Sequence, residues 1–536
     1  MIAQTLVDTE GGSTDRETFE IVSNLKRPRA RILFQSVSQL VGANRNRGIE
    51  AARGKYVCCL DADDTIALTY LEKAVYLIES EGYDVVSTGI QFIGTRDGKI
   101  DVMKTEVTSS TPRVWSDPAV CVFYADLLTV LTAAALPWST TAVAVLVGLW
   151  LLALIPLIPT LDTRAFLRLL LSPICLLPLA ILALAVFGTL WAEGPWRTRI
   201  NGISPVAKLL AIPILLYHFE RSRRGTWVFI AFLASCGLLM ALSWIVLLYP
   251  ELKMRPTMSA GVPVKNYIDQ SQEFALCMVA LLPSVVTLYK QHRYVAATAC
   301  AALALCFFAN MAFVVSARAA LIYVPVLLLL FAFLHFNRRS SALLLTGAVV
   351  MATIVALTSN YLRTRIADIS TEYQYYQQNI SRSTGQRLEY WQKSLKFFAI
   401  SPLFGNGTGS TRQLFERDAV GQTGLAAEIT ANPHNQTLNV AVQWGIIGIV
   451  ALYAMWLVHL LLFRGDGLEN WIGLLVVVQN VVSSLFNSHL FDFHEGWMYV
   501  LGVGIAGGMS LKARQLAGEY PNLSLSSYRA PYKCVG

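Results

Sequence analysis

The chain has 536 residues, of which 54% are hydrophobic and only 15% charged, with a mean hydropathy of +0.49. Soluble globular chains carry roughly 25% charged residues, so these values exclude a single soluble enzyme and a disordered chain alike. The net charge of +8 is uneven: residues 1–120 carry −3 and residues 121–536 carry +11. The basic excess lies beside apolar runs, where it sets membrane orientation, so the pI of 8.9 does not point to nucleic acid as a partner.

Residues 1–117 read as a partial α/β segment with no apolar leader, hence expected to stay in the cytoplasm. A strand-like run ends at Val7-Asp8, before the turn-rich Gly11-Gly12-Ser13-Thr14-Asp15. Lys55–Leu60 is a continuous β-prone run, as in a buried parallel strand, and it ends at Asp61-Ala62-Asp63-Asp64. Ala67–Ser80 has helical spacing, and Asp84–Ile93 reads as another strand. Two carboxylates at a strand end, Asp61 and Asp63, suit a hard Mg²⁺ or Mn²⁺ ion held against a nucleotide diphosphate.

Twelve apolar segments follow, at 121–136, 139–158, 169–191, 203–217, 226–249, 271–289, 294–315, 319–336, 341–358, 436–463, 469–488 and 496–511. Several reach the ~20 residues that cross a bilayer core, and their backbones must be helical because lipid cannot satisfy free amides. The fold class expected is therefore an α-helical polytopic membrane protein of about twelve transmembrane helices spanning 118–516, with a polar, disordered tail at 517–536. With the head inside, Arg164, Arg168, Arg221, Arg223, Arg224, Lys290, Arg293, Arg338, Arg339, Arg464, Lys512 and Arg514 all fall on the cytoplasmic side, as the positive-inside rule asks. Both termini are then cytoplasmic. The one long polar insertion, 359–436 between helices 9 and 10, lies outside. Loops of that length are uncommon unless functional. The nine cysteines form no CxxC pair and read as small buried hydrophobes, not as a zinc site or disulfide framework.

Three external places break the apolar pattern. Val315-Ser316-Ala317-Arg318-Ala319-Ala320 puts Arg318 at the membrane surface, either snorkelling or capturing an anion with its planar fork. Thr384–Phe398 has helical spacing with Leu388, Trp391, Leu395 and Phe398 on one face, expected to lie along the membrane plane. Arg387 starts this helix, where the dipole disfavours a cation, so it calls for an anionic partner. Pro402–Gly409 follows as a flexible loop with free backbone amides. Asn432-Pro433-His434-Asn435 opens the tenth helix, with Asn432 as N-cap and His434 at the helix N-terminus, where the dipole lowers its pKa and leaves a neutral general base. His489 and His494, on either side of Asp492, are supporting candidates, either for that site or for a metal. Arg197 and Arg199 in the second external loop, and Lys265 in the third, are further candidates for contact with an anionic donor or sugar.

Two resemblances rest on these motifs. Val7–Asp15, with two residues inserted, and Asn44–Tyr56 followed by Leu60-Asp61-Ala62-Asp63-Asp64 resemble family 2 glycosyltransferases over about residues 1–100. The family's first strand is shortened at Met1, and its acceptor-side half has no counterpart before Cys121. The segment is thus expected to be a remnant, or the product of a misjudged gene start, that transfers no sugar, with Asp61 and Asp63 vestigial metal ligands; the alternative is a nucleotide-sugar-binding or transferase module, and Mg or Mn is relevant only if it were active. Ser-Ala-Arg at 316–318, Gly-Gln-Arg-Leu-Glu-Tyr-Trp at 385–391 with Pro-Leu-Phe-Gly-Asn-Gly at 402–407, and Pro-His-Asn-Gln-Thr-Leu at 433–438 with Gly-Ile-Ile-Gly at 445–448 together resemble the O-antigen ligase and Wzy-type polymerase superfamily over 121–511.

That second resemblance implies a membrane-embedded, inverting glycosyltransferase of the bacterial inner membrane, needing no metal or other cofactor. Its donor would be an undecaprenyl-diphosphate-linked glycan and its acceptor lipid A–core, joined on the periplasmic side. Arg318 and Arg387 would hold the diphosphate, and His434 would deprotonate the acceptor hydroxyl. Alternatives are a Wzy-type polymerase, whose family tends to have two large external loops where this chain has one, and a protein O-oligosaccharyltransferase. A membrane transporter is the alternative of another class; the lack of an intramembrane ionisable chain speaks against it.

Overall fold

The computed structural model describes residues 118–256, 259–378 and 383–519, together with short stretches at 5–8, 30–33, 49–52, 55–58, 69–81, 90–92 and 98–100. The chain divides into two compact units, Met1–Ser110 and Thr111–Gly536. In the first, β1 (Thr5–Asp8) pairs in parallel with β2 (Ala30–Leu33), in the register Thr5 to Ala30 through Asp8 to Leu33. Helix α1 (Tyr70–Glu81) lies within one residue of the C-terminal limit read from its spacing, and β3 (Ile90–Phe92) pairs antiparallel with β4 (Gly98–Ile100). Residues 55–58 are not a strand, contrary to the β-prone reading of Lys55–Leu60. They have no partner strand among the described residues, Val57 is half exposed, and Lys55 and Tyr56 turn their side chains to Glu79 at 3.1 and 3.0 Å. Asp61 and Asp63 lie outside the described residues, as do most of the strand read at 84–93 and the end of the polar tail.

The second unit is helical. Its helices are α2 (Pro118–Ala135), α3 (Thr140–Leu154), α4 (Thr163–Leu170), α5 (Pro173–Phe187), α6 (Trp196–Asn201), α7 (Ser204–Ala207), α8 (Ala211–Arg221), α9 (Gly225–Leu248), α10 (Tyr267–Lys290), α11 (Tyr294–Phe313), α12 (Ala320–His335), α13 (Arg338–Thr358), α14 (Asn360–Gln377), α15 (Ser383–Ile400), α16 (Thr411–Asp418), α17 (Gln436–Leu462), α18 (Leu468–Ser483) and α19 (Phe493–Glu519). Among the described residues seven helical stretches are long and apolar enough to cross a membrane, or eight if the α4–α5 pair, bent by 68°, counts as one. The twelve apolar segments of the sequence do not all meet that length. Val120–Ala135, Ala320–His335 and Leu468–Ser483 are shorter apolar helices.

Contacts sort the helix ends into two groups. At one end, Asp126 accepts from His218 at 2.8 Å and from Arg224 at 3.2 Å, Lys512 donates to the Ser222 carbonyl at 2.9 Å, and Arg514 donates to the Leu462 carbonyl. At the other, Lys265 reaches the Leu136 carbonyl, Ala317 N–H donates to Ser271 Oγ at 2.9 Å, and Gln436 N–H donates to the Ser484 carbonyl at 2.9 Å. Close packing comes from small residues, as is usual between helices in lipid. On α19, a Cβ at Gly504 would lie 2.5 Å from Leu215 Cβ, and one at Gly508 2.7 Å from the Leu216 carbonyl, so α8 and α19 touch backbone to backbone.

The second end is organised by a break in α17. Gly445 has φ +60° and ψ −153°, a region open essentially to glycine alone, and the helical ladder stops there. The segment after α15 fills the gap. Asn406 and Gly407 N–H donate to the Val442 and Gln443 carbonyls at 2.8 and 2.9 Å, and Ile446 N–H donates to the Pro402 carbonyl at 2.8 Å. Thr408 N–H donates to the Gly188 carbonyl at 3.0 Å, Thr408 Oγ1 accepts from Trp444 Nε1 at 2.9 Å, and Gly409 N–H donates to Gln443 Oε1 at 2.9 Å. The free amides and flexibility read for Pro402–Gly409 are therefore corrected: four of those amides are spent on α5 and α17, because a broken helix inside the bundle must be completed by other backbone.

A Cβ at residue 445 would lie 2.4 Å from the Leu403 carbonyl oxygen. Gly445→Ala is therefore expected to destabilise the protein by about 1–3 kcal/mol from backbone strain, with further loss if the loop detaches. Thermal unfolding of the detergent-solubilised chain measures this.

Candidate active site

Arg318, Arg387 and His434 converge at this second end. Arg318 sits in the short 314–319 connection, which is pinned by Ser271 Oγ on Ala317 N–H and by Tyr361, whose hydroxyl accepts from Ser316 N–H at 2.8 Å. Its guanidinium makes a two-pronged ion pair with Glu372 of α14, both contacts at 2.7 Å, and lies 3.6 Å from Asp368. Thr384 completes the carboxylate's cradle: its N–H donates to Glu372 Oε2 at 2.9 Å, and its hydroxyl also bonds that oxygen. Hydrogen bonds from Arg318, then from Thr384, hold the Glu372 carboxyl down at about 2, against burial. Arg318 is raised above its ordinary value by the same bond.

Arg387, in the first turns of α15, makes no ion pair or hydrogen bond with a described residue. Burial is the main influence lowering its pKa; Tyr267 and Glu372 favour the cation and Arg318 opposes it. It is also within electrostatic reach of His434 and His489, lowering the pKa of each. Arg387 thus stands between the Arg318–Glu372 pair and the histidines. The face of α15 that packs inward is Tyr390, Lys393, Ser394 and Phe397, against Phe415 and Val442. The apolar stripe read from the sequence turns away from that contact: Leu395 is 56% exposed, and Leu388, Trp391 and Phe398 are half-buried.

His434 does not lie on the helix. The N-cap of α17 is Asn435, whose side chain accepts from Leu438 N–H, and His434 precedes it with φ +55°. The reading of Asn432 as N-cap is corrected. Asn432 instead closes a turn on His434, its Oδ1 accepting from His434 N–H at 2.9 Å and from Ser488 Oγ at 2.7 Å. The imidazole stacks on Tyr390, ring centres 6.1 Å apart, and its Nδ1 lies 2.7 Å from Asn487 Oδ1. The pKa falls below the ordinary 6.5, chiefly through burial and then through Arg387 and His489, against the Asn487 bond. Burial thus replaces the dipole as the leading cause.

Behind Asn487 lies a polar cluster. Asn487 Nδ2 donates to Asp492 Oδ2 at 2.7 Å, and Asp492 is pushed up to about 7, first by burial and then by Glu495. His489 is buried and lowered to about 4. Its Nδ1 lies 3.6 Å from Asp492 and 3.3 Å from Glu495, and one ligand atom from each of the three falls within 4.8 Å of the others. These are the described residues best placed to hold a metal. The hydrogen bonding runs the other way, however. Gln479 Nε2 donates to Gln272 Oε1 at 2.6 Å and to the Gln272 carbonyl at 2.8 Å, which turns the Gln272 amide NH₂ toward His489 Nε2 at 3.4 Å. That leaves the imidazole hydrogen on Nδ1, the atom a metal would need bare. A cavity of about 560 Å³ opens beside the cluster, lined among others by Arg255, Lys265, Asp269, Asn487, Asp492 and His494. His494 bonds Asp269 at 2.7 Å.

The remaining candidates are more scattered. Lys265 lines the cavity while holding the Leu136 carbonyl. Arg199 donates to the Gly194 and Thr189 carbonyls at 2.9 and 3.1 Å and stacks on Trp196, and Arg197 is exposed. Glu372, Asn487 and Tyr390 were not singled out from the sequence. Asn487 could have been found from the polar run Asn487-Ser488-His489 at the end of the apolar segment 469–488. Glu372, in a polar insertion, carried no such signal.

Residues 301–453 match the O-antigen ligase family, and residues 9–120 match glycosyl transferase family 2. The first match contains Arg318, Arg387 and His434 and is narrower than the resemblance read over 121–511; the second runs some way past residue 100. A protein of Haemophilus influenzae described as an uncharacterized glycosyltransferase is 41% identical over 70 residues, which are 13% of this chain and 28% of that protein. The chain thus spans little more than a quarter of the length of that curated relative. Glycosyl transfer by a protein with membrane-crossing helices is the function class these matches support.

Glu372→Gln is expected to free α14 from the start of α15. Loss of a charge-assisted hydrogen-bond set of this kind costs about 1.5–3 kcal/mol per bond at most in a dry setting, and less at this half-buried one. Faster amide exchange at Thr384, with little change at Gly445, is the expected readout.

Proposed function

We propose that the membrane unit is an O-antigen ligase-type transferase that moves a glycan from an undecaprenyl-diphosphate donor to the lipid A–core acceptor. One observation carries this reading: a half-buried imidazole, kept neutral, stands in electrostatic reach of Arg387, a guanidinium without a carboxylate partner among the described residues. The acceptor oxygen attacks the anomeric carbon while His434 takes its proton. The bond from that carbon to the diphosphate oxygen breaks, its electron pair stays on the diphosphate, and the configuration inverts. Arg387 meets the charge that develops on the leaving diphosphate, and Arg318 joins once Glu372 yields its place. The energy comes with the donor, so the reaction needs no cofactor and no metal, and chelation with EDTA is expected to leave turnover unchanged.

In this reading all twelve apolar segments cross or enter the bacterial inner membrane. Both termini are cytoplasmic, and 359–436 and the site face the periplasm, where the donor's polyprenyl tail stays in lipid. The end carrying Arg221, Arg464, Lys512 and Arg514 is the cytoplasmic one by the positive-inside rule. Asp269 and Glu273 are buried on α10, so the lack of an intramembrane ionisable chain no longer weighs against a transporter. The transferase reading over a transporter rests instead on the O-antigen ligase match and the site chemistry.

The test is transfer by the full chain in lipid nanodiscs, offered undecaprenyl-diphosphate-linked glycan with lipid A–core, a second lipid-linked glycan or a protein acceptor. Product on lipid A–core is expected. Product only on a second lipid-linked glycan or on protein overturns the acceptor assignment, and flux of solute without transfer overturns the enzyme. His434→Ala is expected to lose about 10²–10⁴-fold in turnover while still binding donor. Arg387→Ala is expected to weaken donor binding, only partly restored by lysine. Because the base works as neutral imidazole with its pKa below 6.5, activity is expected to hold down to pH 6.5 and fall at lower pH.

A further inference from the structure

We propose that Asn487, anchored by Asp492, is a positioning residue that fixes His434 as the Nδ1–H tautomer and so makes Nε2 its basic nitrogen. The inference rests on the reading of His434 as the base, and the geometry carries it from two sides. His434 N–H can only donate, so the atom of Asn432 that meets it at 2.9 Å is the oxygen Oδ1. Asn432 Nδ2 must then be the atom facing Asn487 at 3.4 Å, which makes its partner the oxygen Oδ1 of Asn487. Independently, the Asn487 amide NH₂ is turned to Asp492 Oδ2 at 2.7 Å. Both arguments leave Asn487 Oδ1, an acceptor only, 2.7 Å from His434 Nδ1. The ring hydrogen therefore sits on Nδ1, and the lone pair is on Nε2. The left-handed φ of +55° at His434 belongs to the same device: with the N–H held by Asn432, it sets the direction in which the ring and the following chain leave that turn.

An amide here differs from a carboxylate in one consequential way. It orients the ring without adding charge, so the imidazole is held in one tautomer yet stays easy to keep neutral. The charged and titratable groups facing His434 are Arg387 and Tyr390 from α15, and His489 with Asp492 from the 484–492 segment. Arg387 opposes protonation, and the Asn487 amide stands between the ring and Asp492. Asn487→Asp would put a carboxylate directly on Nδ1 and stabilise the imidazolium.

The test is ¹⁵N NMR of histidine-labelled full chain in nanodiscs, with the His434 signal assigned by its loss in His434→Gln, alongside the pH profile of transfer from undecaprenyl-diphosphate-linked glycan. The wild-type ring is expected as a single Nδ1–H tautomer. Asn487→Asp is expected to raise the His434 titration, and the acid limb of kcat/KM with it, by about one pH unit, with KM for the donor little changed. Asn487→Ala is expected to mix the tautomers and lower kcat about 10²-fold, the loss typical of a misplaced catalytic group. An Nε2–H tautomer in the wild type, or an unmoved titration and kcat in both variants, overturns the proposal without touching the base assignment. Full turnover in His434→Ala overturns the base assignment, while the wild-type spectrum still decides the tautomer.

Discussion

A helix that breaks inside an apolar bundle must have its broken hydrogen bonds completed by other polar groups, because lipid offers none. The break at Gly445 is completed by residues 402–409, whose amides close on the Val442 and Gln443 carbonyls while Pro402 accepts from Ile446. That stitch does more than satisfy backbone. It ties the C-terminal end of α15, whose first turns carry Arg387, to the first turns of α17, which His434 precedes, and through Thr408 to the end of α5. The glycines at 405, 407 and 409 all have positive φ and lie against Gln443, Ala192 and Thr198 backbone, so the loop is a packed joint.

On this frame the electrostatics divide into two compartments. Both terminal nitrogens of Arg318 are paired, by Glu372 and Thr384 with Asp368 close by, while its buried Nε has no partner among the described residues. Arg387 has the burial without such pairing among the described residues. An anion arriving at this end gains most from Arg387, and reaches Arg318 only by competing with a carboxylate that already fits the fork. Thr384 contributes backbone and hydroxyl hydrogens to that same carboxylate, so the anion that Arg318 holds in this structure is Glu372, seated at the start of α15. His434 and His489 contrast with this: burial lowers the pKa of both, and their rings are held by the amides of Asn487 and Gln272.

Much of this was legible in the sequence, in uneven ways. The apolar segments and the helix at 383–400 follow from hydropathy and spacing, which are local. Arg318, Arg387 and His434 stood out because charged or titratable residues beside apolar runs are costly and few. The contacts of Lys512 and Arg514 gather Arg221, Ser222 and Arg464 at one end, where the sequence had placed their basic loops together. What was not legible depends on distant pairing. Asn432 looks like an N-cap until the side chain is seen to accept from His434 N–H, which leaves Asn435 to cap. Pro402–Gly409 looks flexible until the open carbonyls of α17 supply partners. The stripe of Leu388, Trp391, Leu395 and Phe398 is real as a pattern, yet the helix packs through Tyr390 and Phe397, because aromatic partners at Phe415 and His434 lie on that side. Lys55–Leu60 has strand composition, but Lys55 and Tyr56 are drawn to Glu79.

The most direct measurement is an experimental structure of the full chain in lipid nanodiscs saturated with undecaprenyl diphosphate, the leaving group itself. The account requires diphosphate density against the Arg387 guanidinium, with the Glu372 carboxylate shifted from the Arg318 fork and His434 Nε2 facing the open side of the bound group. Diphosphate seated instead in the cavity of Arg255, Lys265 and His494, with Arg387 untouched and the Arg318–Glu372 pair intact, would contradict it.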